Sequence, residues 1–118
     1  MDWEIEEEKA IEMYGEIRQS SCDCNAIANN TGWKKSRVER VKNHVFFEEH
    51  QLDDRIARFD PDYQMAMAWK RLEKGNYKES DIDLLNHEYF ESRFMGLYQT
   101  DYRTAHNATV KSGRTWNP

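Results

Sequence analysis

The chain has 118 residues, 38% hydrophobic, 33% charged and 13% aromatic, with a net charge of −5. It therefore fits one domain with a modest, aromatic-rich core, which excludes a disordered or low-complexity chain. No apolar run approaches the roughly 20 residues of a bilayer span, the acidic start is the opposite of a signal peptide, and a simple polyanion binder would be basic overall, so a cytoplasmic protein is expected.

Residues 4–18 place Ile5, Ala10, Ile11, Tyr14 and Ile17 at near-helical spacing, which predicts a first amphipathic helix. Its first turns are crowded with acids, and residues 1–16 carry about −6 in all. Within that arm Glu4, Glu6, Glu7 and Glu8 are candidates for contact with a basic protein partner. Cys22 and Cys24 lie too close together for an ordinary structural disulfide and are expected as reduced thiols.

Ser21–Asn30 reads as a short helix and Thr31-Gly32 as a tight turn. A longer helix then runs from about Trp33 to Glu49, with Val38, Val41, Val45 and His44 on one face. Lys34, Lys35, Arg37, Arg40 and Lys42 put about +4 within residues 34–42. The whole stretch is helix-turn-helix-like, and those five cations are the candidates for phosphate contact should it bind nucleic acid.

The pattern breaks over residues 53–58, and Asp60-Pro61 predicts an N-cap with proline at the first helical position. That helix turns Met65, Ala66, Trp69 and Leu72 inward and stops at Lys74-Gly75-Asn76. Ser80-Asp81-Ile82-Asp83 resembles a capping box opening a helix over about 81–97. Thr100 is the expected cap of a last helix to about Val110. The sum is mainly α, a compact bundle of five or six helices forming one domain over 1–110, with a flexible tail over 111–118.

On the 81–97 helix, Leu84, His87, Glu88, Glu91, Phe94 and Met95 share one stripe by their spacing of three and four. Buried ionised carboxylates there cost several kcal/mol unless something satisfies them. His87 and Glu91, at i and i+4, can reach one metal, with His44 and His50 as further ligands. Three histidines and a carboxylate fit tetrahedral zinc, structural if all four bind and catalytic if water replaces one. The competing reading is a hydrogen-bonded core with arginine partners. His-Glu-Tyr-Phe-Glu is not the His-Glu-x-x-His motif of zinc proteases. Asp60, Asp62, Asp81 and Asp83 read as helix caps, and no motif for nucleophilic catalysis stands in the chain.

A wider set of residues carries a resemblance: Ile27-Ala28-Asn29-Asn30-Thr31-Gly32, Val41-Lys42-Asn43-His44-Val45-Phe46, His50, Arg58-Phe59-Asp60-Pro61-Asp62, Ala68-Trp69, His87-Glu88, Glu91 and Tyr102 to His106. Over roughly residues 11–110 this resembles a domain at the carboxyl termini of phage minor head proteins and polymorphic toxins of Gram-positive bacteria. A free-standing acidic protein of this kind is also similar to small phage anti-CRISPR proteins. The resemblance implies a non-enzymatic inhibitor in a bacterial host cell, acting on a partner such as a Cas9-type nuclease whose basic channel an acidic binder can occupy, with zinc as a clamp. Its rivals are a metal-dependent toxin or nuclease domain, with Glu88 or His106 as base, and a small DNA-binding regulator.

Overall fold

The computed structural model describes residues 2–118 and folds them into a mainly α bundle of six helices with one two-stranded hairpin. Helix α1, Trp3–Gln19, begins at Asp2, whose carboxylate accepts the Glu4 N–H at 3.1 Å. It buries Ala10, Tyr14 and Ile17, spaced four and three apart, while Ile5 and Ile11 lie on the solvent side at 46% and 56% exposure. Two of the five apolar positions read as one face thus belong to another.

Helices α2, Asp23–Thr31, and α3, Lys35–Lys42, form the expected helix-turn-helix-like unit, joined through Gly32 at φ 80°. Glycine adopts that left-handed conformation without a Cβ penalty. The third helix does not continue to Glu49. It widens into a π turn over Asn43–Phe47, closed by the Glu48 N–H donating to the Asn43 carbonyl at 2.8 Å. Such turns are rare and recur at functional sites. Here His44, Val45 and Phe46 are all buried in succession.

Strands β1, His50–Gln51, and β2, Ile56–Ala57, pair antiparallel with His50 opposite Ala57. At two residues each they are too short for any alternation to show in sequence. Helix α4, Tyr63–Lys74, is capped by Asp62, which accepts the Met65 N–H at 3.0 Å, two residues beyond the expected Asp60. It ends as expected at Gly75, φ 86°. Asn30 donates its side-chain amide to the Leu72 and Glu73 carbonyls, closing that end against α2.

Helix α5, Glu79–Tyr98, starts earlier than its capping signal implied, because Asp81 serves as the third residue and accepts the Lys78 N–H at 3.0 Å. Helix α6, Tyr102–Lys111, is capped by Asp101 and not by Thr100, whose hydroxyl is buried without a partner among the described residues. Beyond α6, Trp116 packs against the core and the Arg114 guanidinium lies 4.6 Å from the centre of the Phe90 ring. Arg114 and Trp116 thus touch the body, while the rest of residues 112–118 are exposed. No described helix is long and apolar enough to cross a membrane.

The core centres on Trp69, fully buried, with Phe46 and Tyr14 stacked beyond it edge to face at 5.3 and 4.8 Å. A polar knot runs through it. Asp23 accepts from Lys42 Nζ at 2.8 Å and from Trp69 Nε1 at 3.0 Å, and Lys42 also donates to the Ser20 carbonyl at 2.9 Å. Arg71 similarly grips Asp81 through two bonds of 2.8 Å, fixing α4 to the start of α5.

Removing one member of a buried ion pair strands the other charge. Asp23→Ala is expected to lower unfolding free energy by about 3–5 kcal/mol in urea titration, and a loss under 1 kcal/mol would show the knot to be dispensable.

Candidate metal centre

Helix α5 presents His87, Glu88 and Glu91 on its buried side, at positions i, i+1 and i+4. Helix α6 packs alongside and brings His106, and the π turn brings His44 from the opposite direction. The other four surround the Glu91 carboxylate. Glu91, 1% exposed, faces His87 Nε2 at 3.4 Å and His106 Nδ1 at 3.3 Å with Oε2, and His44 Nε2 at 2.8 Å with Oε1. His87 Nδ1 lies 2.7 Å from the Arg114 carbonyl. A carbonyl accepts only, so Nδ1 carries hydrogen and Nε2 is the nitrogen turned to Glu91, the arrangement in which a histidine is held for a metal.

Two groupings of donor atoms within 4.8 Å of one another share Glu91: His87–Glu91–His106 and His44–Glu88–Glu91. A third joins His44, Glu48 and His50. These buried His/Glu groupings are close enough to hold a metal ion. Glu88 Oε2 lies 3.4 Å from His44 Nε2, but that N–H is taken by Glu91, so Glu88 Oε2 is buried with no donor among the described residues.

The four side chains expected to form one tetrahedral set therefore part company. His87 and Glu91 stay together, His44 reaches Glu91 from the other oxygen, and His50 turns aside. His50 Nε2 donates to the His44 carbonyl at 2.7 Å, and its ring stacks on Phe59 at 4.4 Å. His50 follows the helix end, as expected, and its ring stays 4.6 Å from that of His44, in the separate grouping with Glu48. His106 takes the vacated place. The sequence offers His106 only as a candidate base, and nothing in its spacing marks it as a ligand.

The other candidate sets divide as well. Glu4, Glu7 and Glu8 are exposed on α1 and Glu6 is half-buried. Lys34, Lys35 and Arg37 are exposed, with Arg37 over the Tyr89 ring at 5.1 Å. Arg40 is tied to Ser92 at 2.9 Å, and Lys42 is spent on Asp23 in the core. The phosphate-contact set is thereby reduced, because helix α3 needs Lys42 to satisfy a buried carboxylate.

Burial alone would lower the pKa of His44, but Glu88 and Glu91 outweigh it and raise it to about 9. Burial would raise Glu91, yet hydrogen bonds and charges from His44 and His87 bring it down to about 2. His87 is likewise raised, against its burial, by Glu91, Glu88 and the Arg114 carbonyl. His50 goes the other way, lowered by burial first. The Tyr102 hydroxyl, pushed up to about 12 by burial and by Glu91 and Glu88, stays protonated near His106 Nδ1 at 3.4 Å.

Beside His87, Glu88, Glu91 and His106 opens a cavity of about 240 Å³, walled by Tyr14, Phe59, Met65, Tyr102 and Trp116 with Asp60 and Asp62 on its lining. His44 lies outside that lining. The set that opens to the cavity is thus His87–Glu91–His106, and His44 supports it from behind. No protein-family model, curated protein or solved structure matches the chain.

His44 in the fold titrates above its ordinary 6.5, so in chelator-treated protein its pairing stabilises fully below about pH 6.5 and is lost as pH rises through about 9. Glu91 titrates below its ordinary 4.5, so its share holds above about pH 4.5 and is lost as pH falls through about 2. Melting temperature of the metal-free protein should accordingly fall between pH 6.5 and 9, and His44→Gln should flatten that arm; an unchanged slope in the variant would refute the pairing.

Proposed function

We propose that the chain is a metal-dependent hydrolase that holds one zinc ion on His87 Nε2, Glu91 Oε2 and His106 Nδ1, with Glu88 as general base. One observation carries the reading: the donor separations of 3.4 and 3.3 Å about Glu91 Oε2. They are too long for good hydrogen bonds, and equal the spacing of roughly 3.3 Å that tetrahedral zinc imposes on nitrogen and oxygen ligands. Three protein ligands facing a cavity make a catalytic set, whereas a closed set of four makes a structural one.

The order His87, Glu88, Glu91 repeats the logic of two ligands one helical turn apart with the base between them, a carboxylate replacing the second histidine. An ion at this set supplies Lewis acidity and a water activated near neutral pH. Glu88 Oε2 is buried without a hydrogen bond among the described residues, 3.4 Å from the His44 Nε2 that Glu91 already holds, and is the carboxylate oxygen left to accept a proton. His44 grips Glu91 Oε1 and turns Oε2 toward the ligand set. The Tyr102 hydroxyl, protonated at neutral pH, can donate to developing negative charge.

Metal analysis of the purified protein is expected to find one zinc per chain, lost in His87→Ala and His106→Ala. Glu88→Gln should keep the ion while turnover of peptide, ester or phosphodiester probes falls by about 10²–10⁴. Absence of stoichiometric metal, with melting indifferent to chelation, sinks the proposal.

A second reading is favoured by the first turns of α1, where Trp3 is 69% and Ile5 46% exposed beside Glu4, Glu7 and Glu8. Apolar side chains left in solvent among acids suit a basic protein partner, as in a phage-type inhibitor of a Cas9-type nuclease. Such a binder saturates at equimolar effector and weakens with salt and with Glu→Lys changes at positions 4, 7 and 8. Action far below equimolar amounts rejects it.

A further inference from the structure

If the cavity is the substrate site of the hydrolase just proposed, its lining constrains what enters. The lining carries four carboxylates, Asp60, Asp62, Glu88 and Glu91, against two imidazoles, and no lysine or arginine among the described residues. Arg55, outside the lining, pairs with Asp60 at 3.0 Å on the exposed side. A divalent ion offsets two of these charges, and the lining itself offers no surplus of positive charge. Phosphoryl transfer builds additional negative charge and is served by arginine, lysine or several cations aimed at it. None is placed here.

The apolar lining points the same way. Phe59, Tyr102, Tyr14 and Trp116 offer aromatic surface for an alkyl stem, and rings attract a cation passing over them. Asp62 is exposed and spends one oxygen on capping α4, which leaves the other for a cationic head group. At about 240 Å³ the cavity falls below the roughly 300–1,000 Å³ of sites that enclose a whole small ligand. That volume suits one side chain and the bond beside it.

We propose that the substrate is a polypeptide, cleaved at an amide next to a lysine or arginine whose side chain enters this cavity. Water adds to the amide carbon, so a C–O bond forms and the C–N bond breaks. Glu88 takes the water proton and returns it to the departing nitrogen, giving a carboxylate and an amine.

The test uses zinc-loaded protein and quenched-fluorescence peptide pools in which one position is fixed as Lys/Arg, Leu or Glu, with bis(p-nitrophenyl) phosphate as the phosphodiester probe. The Lys/Arg pool should be cleaved fastest, and Asp62→Asn, which still caps α4, should lower kcat/KM on that pool by roughly tenfold, more than on the Leu pool. Calorimetry on zinc-loaded Glu88→Gln supplies a readout without turnover: acetyl-Ala-Lys-Ala-amide should bind more tightly than acetyl-Ala-Glu-Ala-amide. Preference for the Glu pool, cleavage of the phosphodiester, or equal binding of the two peptides by protein that holds its zinc overturns the substrate class and leaves the metal centre standing. Failure to hold zinc overturns the hydrolase reading itself.

Discussion

A carboxylate 1% exposed inside a small bundle is the constraint around which this molecule is arranged. Glu91 sits mid-helix on the buried side of α5, and transfer of an unpaired ionised carboxyl group into a protein interior costs several kcal/mol after relaxation. The fold answers from three directions. His44 arrives on a π turn that departs from regular helix just where it must face inward, His87 stands one turn before Glu91 on the same helix, and His106 comes from the antiparallel neighbour. The two oxygens are treated differently. Oε1 has a short bond to one imidazole, whereas Oε2 has two imidazoles at longer range, and that asymmetry separates a supporting contact from the proposed ligand set.

Most of the fold was legible because it rests on short-range signals. The left-handed glycines at 32 and 75 marked real helix ends, and the apolar spacing of Met65, Ala66, Trp69 and Leu72 marked the buried face of α4. Cap assignments slipped by one or two residues wherever acidic and hydroxyl residues crowd together, as at Asp60-Pro61-Asp62 and Thr100-Asp101, since each can cap and only backbone geometry selects one. The hairpin was invisible because two-residue strands have no period.

The site was half legible for a related reason. His87 and Glu91 are linked by helical periodicity, so their partnership follows from sequence. His44 and His106 join them through tertiary packing, and His50, beyond the helix end, stays beside His44 without joining the groupings that share Glu91. The carboxylate that caught attention as an awkward member of an apolar stripe proves to be the hub, and its neighbour Glu88 the group left without a partner. Similar logic separates the basic cluster. Five cations within nine positions read alike in sequence, but Lys42 lands over Asp23 in the core while the other four residues are exposed.

The Arg114 carbonyl that receives the His87 N–H lies three residues past the last helix. Removing that segment would take Trp116 off the core and leave the imidazole free to exchange its tautomer and rotate. The support of the proposed ligand His87 thus extends past the last helix. Under the proposed metal centre, a cleavage or fusion event beyond residue 111 would loosen the hold on His87 together with the packing of Trp116.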